Sequence, residues 1–253
     1  MVSERVVHDT RVLEAGHGWP VILLHAFPVD ADMWRPQLDR VPAGWWFIAP
    51  DLRGDTVDAM ADNVLSVMDA LDIDGAVIGG LSMGGYVTFA MYRRVPERFN
   101  GMLLADTRSA ADTPEAGEQR TRLIALVREK GPRALADAML PKLLARTTAD
   151  AQPELREQIY AMAEARGAEA LALALAAMRA RPDSTAMLGR ISAATLVICG
   201  DQDAATPLAE VEAMQRGIPR SRLVVLHGAG HLTNLEQPEE FSTALCDFLT
   251  SNM

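Results

Sequence analysis

One serine, Ser82, stands inside "GAVIGGLSMGGYVTF" (75–89), with Gly80 and Gly84 two positions to either side. Before it, Ala76, Val77 and Ile78 read as a strand; after it, Tyr86, Phe89, Ala90 and Val95 recur like one face of a helix. A hydroxyl raised at a strand-to-helix junction needs a backbone bent so tightly that only glycine fits nearby. Such a turn presents a nucleophile, although a glycine-rich turn with Ser82 merely capping its helix would read the same locally. Further along the chain, "CGDQDAATP" (199–207) offers Asp201 and Asp203, and "GAGHLTNLEQPEEF" (228–241) offers His231. Asp106 ends another apolar run, "GMLLADT" (101–107). A hydroxyl, a carboxylate and an imidazole in the order Ser, Asp, His are the components of nucleophilic acyl transfer.

These residues need elements that hold them together. The runs "PVILLHA" (20–26), "WWFIAPD" (45–51), "GAVIGG" (75–80), "GMLLADT" (101–107), "TLVICGD" (195–201) and "SRLVVLHG" (221–228) are short and nearly continuously apolar. Each predicts a strand buried on both faces, as in a parallel sheet covered by helices. Helical patterns near 33–40, 56–71, 83–94, 209–216 and 238–249 separate them, and residues 4–15 predict a short antiparallel hairpin. The alternation predicts a doubly wound α/β sheet, whose ligands bind beyond the carboxyl ends of the strands. Every chemical candidate above falls at such an end. From 110 to 190 the strand signal vanishes, replaced by Ala-, Leu-, Glu- and Arg-rich helical text. An insertion leaving from the strand that ends at Asp106 hangs over that edge, so it reads as a cap. The expected organisation is a core of 1–109 and 191–253 interrupted by a helical cap of 110–190.

Composition narrows the partners. The chain has 253 residues, 49% hydrophobic and 23% charged, with net charge −10. No Lys/Arg cluster rises above pairs such as Arg93-Arg94, which argues against nucleic acid or an anionic membrane as partner. "MVSERVVHDTR" has no apolar signal core and the apolar runs are too short to span a bilayer, so a cytoplasmic location is expected. Cys199 and Cys246 give no disulfide or metal spacing and read as buried free thiols; the five histidines form no metal motif. With no dinucleotide or phosphate loop, neither cofactor nor metal is expected.

With those motifs in order, the chain resembles the α/β-hydrolase family over nearly its whole length. "LLHAFPVDADMW" (23–34) resembles the family's oxyanion-loop segment, and "APDLRG", "GLSMGGYVTF", "CGDQDAATP" and "GAGHLTNLEQPEEF" each resemble the motif expected at their place. The text looks most like small bacterial carboxylesterases, enol-lactonases and acyl-homoserine-lactone-cleaving members. The resemblance implies Ser82 as nucleophile, His231 as base and Asp203 as the acid that orients it, with Asp106 the rival for that last role. It implies oxyanion donors from the backbone N–H groups of Phe27 and Met83. His25 is expected to brace the oxyanion loop, and Asp201 to anchor its own loop by capping backbone N–H groups. Two departures from the family pattern stand out. Ala26 occupies a position usually held by glycine and requires a negative φ. After "DLRG", Asp55 and Thr56 lead at once towards the next helix. Either that loop is short and the entrance wider, or a segment is missing from the chain in hand.

The implied activity is a cofactor-free serine hydrolase acting on carboxylic esters or lactones of short-to-medium acyl chain. Enol-lactone opening of the 3-oxoadipate type and perhydrolysis use the same machinery, and a ligand-binding receptor on this fold is the non-enzymatic alternative. Met139, Met162, Met178 and Met187 promise an adaptable apolar pocket in the cap, with Met139 and Met178 expected to touch substrate. Arg108 lies just beyond Asp106, but no Arg-rich cluster marks a dicarboxylate substrate, which favours uncharged acyl chains over an anionic enol-lactone.

Overall fold

The computed structural model describes residues 1–251. Eight strands form one sheet in the order β1-β2-β4-β3-β5-β6-β7-β8. They are β1 Ser3–Val7, β2 Thr10–Gly16, β3 Trp19–Leu24, β4 Trp45–Pro50, β5 Ala76–Leu81, β6 Phe99–Ala105, β7 Thr195–Gly200 and β8 Ser221–Leu226. β1 and β2 make the expected hairpin, and β2 also pairs antiparallel with β4; all other pairings are parallel. The helices are α1 Arg35–Leu38, α2 Val57–Ala70, α3 Met83–Arg94, α4 Pro114–Leu143, α5 Arg146–Ala151, α6 Pro153–Arg166, α7 Ala168–Ala180, α8 Leu208–Gly217, α9 Thr233–Glu236 and α10 Pro238–Ser251. Among the described residues no helix is long and apolar enough to cross a membrane.

Helix position follows from patterning. α2 buries Val57, Met60, Ala61, Val64, Val67 and Met68, an i, i+3, i+4, i+7 stripe, and Thr56 caps it by accepting the Ala59 N–H at 3.0 Å. The chain therefore reaches α2 directly after Gly54–Thr56, so the loop after "DLRG" is short. α3 is buried from Met83 through Tyr92, as befits a helix covered on every side. The inner strands β5 and β7 are wholly buried. β8 departs from expectation: it is the sheet's edge, and most of it is only half-buried because one flank has no partner strand. Cys246 is likewise half-buried, since α10 turns that side away from the core, whereas Cys199 is fully buried.

Registers Leu24↔Gly80, Leu81↔Ala105, Ala105↔Ile198 and Gly200↔Leu226 align the strand ends. The residues just beyond them, His25, Ser82, Asp106, Asp201–Asp203 and Gly228–His231, therefore emerge along one edge. Four helices, α4 to α7, leave from β6 and return to β7 by way of a 3-10 turn, Thr185–Arg190. α4 bends at Gly131, whose φ of +84° precedes Pro132.

Candidate active site

Ser82 sits on a strained turn, with φ +53° and ψ −109°, at the N-terminus of α3. The flanking glycines make that turn possible by close approach: a Cβ at Gly80 would lie 2.5 Å from the Leu24 carbonyl oxygen, and one at Gly84 2.1 Å from it. The Ser82 N–H donates to Ala105 O at 2.9 Å, and the Thr107 hydroxyl donates to Ser82 O at 2.8 Å. Both ends of the turn are thereby fixed, leaving the side chain facing the cavity.

His231 is 3% exposed, and its Nδ1 lies 2.8 Å from Asp203 Oδ2. The other carboxylate oxygen of Asp203 accepts the N–H groups of Ala205 and Thr206 at 2.7 and 2.8 Å. Ser82 and His231 line the same cavity, with no direct hydrogen bond between them among the described residues; such contacts commonly tighten only when substrate is bound. Asp106 points elsewhere. Its Oδ1 accepts the Gly200 N–H at 3.0 Å and its Oδ2 is bonded to the Thr233 hydroxyl. Burial, and then the charge of nearby Asp203, push the Asp106 carboxyl well above the usual carboxylate range. Asp201 anchors a different loop from the one expected: it accepts the Gly228 N–H at 2.8 Å and pairs with His227, while Asp203 caps the loop that both aspartates share. The interior hydrogen-bonding positions of that loop fall to the buried aspartate because Asp201 lies at the surface beside β8.

Met83 is the first residue of α3, so its N–H has no acceptor within the helix. The Phe27 N–H enters no hydrogen bond among the described residues, and Phe27 itself lines the cavity. Ala26 avoids the positive φ that would strain its methyl group, and its N–H donates to Met33 Sδ at 3.1 Å. His25 is fully buried behind this loop: Nδ1 lies 2.8 Å from Ala26 O, and Nε2 accepts the Leu52 N–H at 2.9 Å. Arg166, at the end of α6, reaches the same Nε2 at 2.9 Å. Burial first and the Arg166 charge second hold His25 well below its ordinary pKa, so it is a neutral brace.

The cavity measures about 420 Å³, within the range of small-molecule sites. Met139 and Met178 line it; Met162 and Met187 instead pack against the core. The cavity also carries Arg108, Arg120 and Lys142, with Asp112 and Glu115. Charged groups thus stand beside the methionines in this wall; Arg108 lies just beyond Asp106 in the chain, but its convergence with Arg120 and Lys142 has no linear signature. Arg120 is engaged by Asp112, which also holds the buried Arg181 at 2.5 Å, and Arg108 pairs with Glu210 at 3.0 Å. Lys142 has no ion-pair partner among the described residues. Sequence reasoning also missed Tyr86 and Leu123 as lining residues, since nothing distinguishes them from ordinary helical positions. Among the described residues, one group of potential metal donors comes within mutual reach: Asp106, Cys199 and Asp203, their ligand atoms within 4.8 Å of one another. Each is otherwise occupied, and burial pushes the Cys199 thiol far up, so the donor set does not suit a metal.

A strained serine elbow beside a paired histidine, beyond the parallel strands of such a sheet, defines an α/β hydrolase, and the sequence agrees. Residues 21–244 match the model of the "Alpha/beta hydrolase family", and the chain belongs to that family. It is similar to 3-oxoadipate enol-lactonase 2 of Acinetobacter baylyi, 29% identical over 238 residues, 89% of this chain and 86% of that one. Among solved structures it resembles a thermophilic esterase from Thermogutta terrifontis in its malate-bound form, with 38% identity, TM-score 0.91 and coverage of 100% and 99% of the two chains. The enol-lactonase from Burkholderia xenovorans is also close in fold, with 27% identity, TM-score 0.88 and coverage of 98% and 100%.

Proposed function

We propose that the protein is a serine hydrolase that opens carboxylic esters or lactones through an acyl-enzyme. The observation that carries the reading is the 2.8 Å His231–Asp203 contact in the cavity that holds Ser82 on its strained turn. His231 Nε2 takes the Ser82 proton as Oγ attacks the carbonyl carbon; the same nitrogen then protonates the leaving alkoxide as the C–O bond breaks. Water, deprotonated by His231, adds to the acyl-enzyme, and the carboxylic acid leaves as Ser82 regains its proton. Asp203 keeps Nδ1–H as the donor and stabilises the imidazolium. The N–H groups of Phe27 and Met83 receive the developing oxyanion. Residues 110–190 act as the cap, with Met139 and Met178 in contact with a short-to-medium acyl chain. A small-molecule substrate, cytoplasmic location and independence of any cofactor complete the reading.

A second reading concerns the acyl group. Lys142, unpaired in the cavity wall, favours an ester or lactone bearing a carboxylate, and the similarity to enol-lactonases and to an esterase holding malate supports it. The test of the whole reading is burst hydrolysis of p-nitrophenyl acetate. Ser82→Ala should fall to roughly a thousandth of wild type or below with the fold intact. A phenylmethylsulfonyl adduct on any residue other than Ser82 would sink it, and binding without a burst would favour a receptor. Comparing p-nitrophenyl esters, acyl-homoserine lactones and 3-oxoadipate enol-lactone then separates the substrate classes; hydrogen peroxide as co-substrate tests perhydrolysis.

A further inference from the structure

Glu236 is a charged side chain left 4% exposed in the short helix α9, five residues after His231. Its two carboxylate oxygens face different parts of the molecule. Oε1 accepts the Gly230 N–H at 2.9 Å, immediately before His231. Oε2 accepts the Ala145 N–H at 2.8 Å, at the junction of α4 and α5, and the Thr148 hydroxyl also bonds the carboxylate. The two segments so bridged touch directly as well. The N–H groups of His231 and Leu232 both donate to Leu143 O, at 3.1 and 3.0 Å. A Cβ at Gly230 would lie 2.3 Å from the Ala145 nitrogen and 2.9 Å from Glu236 Oε1, so the seam admits no side chain there. Leu143 in turn lines the cavity with His231, and Lys142 lines it one residue earlier.

We infer that Glu236 is a positioning residue that locks the catalytic-histidine loop to the α4–α5 junction, so that the cavity wall and His231 hold one fixed geometry. The inference rests on His231 being the base of the reaction proposed above. A carboxylate suits the task because both oxygens accept; a carboxamide offers one acceptor and turns an N–H₂ group against a backbone N–H. Burial raises the Glu236 pKa, while the surrounding N–H and O–H donors supply the hydrogen bonds that a buried carboxylate requires. Misplacement of a reacting group by about 1 Å costs as much as 100-fold in rate.

The test is Glu236→Gln in the full chain, with active sites counted by the acetate burst so that unfolded protein does not dilute kcat. Expected is a 10- to 100-fold fall in kcat with KM changed less, and a displaced acidic limb of the kcat/KM profile. A second variant removes one cap-side donor without adding bulk: Thr148→Val loses the hydroxyl that bonds the carboxylate and leaves the Gly230 and Ala145 N–H groups in place. It is nearly isosteric, so it should fold and show the same kind of change at smaller size. A folded Glu236→Gln protein with wild-type kcat and a superimposable pH profile would overturn the inference, whatever its melting temperature, as would Thr148→Val affecting turnover more than Glu236→Gln does. Wild-type turnover retained by Ser82→Ala would instead condemn the assignment of the site itself.

Discussion

On the sheet side of the cavity, Ser82, Asp203 and His231 are 9%, 6% and 3% exposed, and strand ends or hydrogen-bonded turns hold each. On the helical side, Met139 is half-buried, Glu115 and Lys142 are exposed, and the ion pairs Arg128–Glu169 and Arg133–Glu157 lie on the surface. The helical wall thus mixes the buried Met178 and Leu143 with exposed Glu115 and Lys142, whereas the sheet wall buries all three of its polar groups. Under the function proposed above, the sheet wall would carry the chemistry and the helical wall the choice of acyl group. The two meet at the seam around Leu143–Ala145.

The contrast breaks most sharply on the sheet side. Asp203→Asn should lower kcat about 10⁴-fold by favouring the wrong tautomer of His231. Asp106→Asn should cost less than about tenfold: Asp106 bonds the Gly200 N–H and the Thr233 hydroxyl rather than His231, and a carboxamide can keep both contacts, its oxygen accepting and its N–H₂ donating to the hydroxyl. Steady-state kinetics on one ester decides the ranking. The reverse order would move the orienting acid to the end of β6.

On the helical side the effects shrink. Met139→Ala and Met178→Ala should shift the chain-length optimum along a p-nitrophenyl ester series, changing kcat/KM by about tenfold or less, since each methylene is worth roughly 1 kcal/mol. Lys142→Ala should lower kcat/KM for a carboxylate-bearing ester by up to about tenfold while leaving neutral esters unchanged. An unchanged chain-length profile in both methionine variants would show that the acyl pocket lies elsewhere. Equal losses on charged and neutral esters would remove Lys142 as a selective contact.

The same division explains what could be read from the sequence. The sheet-side residues sit at the ends of apolar runs, where local chemistry is visible: Gly80 and Gly84 announce a close approach, and Gly230 precedes His231. The alternation of buried strands and helices implies a parallel sheet, whose carboxyl ends share one edge. The opposite wall is assembled from Arg108, in the loop after β6, and from Arg120, Leu123, Lys142 and Met178, whose convergence depends on how α4 bends at Gly131 and packs against α7. No local pattern encodes that packing. Glu236 was hidden for another reason: a glutamate near a helix start ordinarily reads as a solvated favourable charge, and only tertiary structure shows the N–H groups around it.

Away from turnover, buried and exposed acids contrast through pH. Asp30 follows the His25–Pro28 loop, and its side chain accepts the Asp32 N–H at 3.0 Å. Burial first, and the charge of Asp51 second, push its carboxyl up from 3.8 to about 6. A folded-state pKa above the unfolded one means that the native state binds the extra proton between those values. The stabilising contribution is therefore complete below about pH 4 and is lost as pH rises through about 6. Asn at this position keeps the acceptor and removes the ionisation, so Asp30→Asn should melt higher than wild type at pH 8 and alike at pH 4. The shift corresponds to at most about 3 kcal/mol, which for a chain of this length is several degrees in Tm. Glu169→Gln, on the exposed side of α7, should leave Tm unchanged at both pH values because its pair with Arg128 is solvated. Calorimetry of both variants at the two pH values checks the pair. A pH-independent gain for Asp30→Asn would mean that the carboxylate carries no ionisation cost in the folded state.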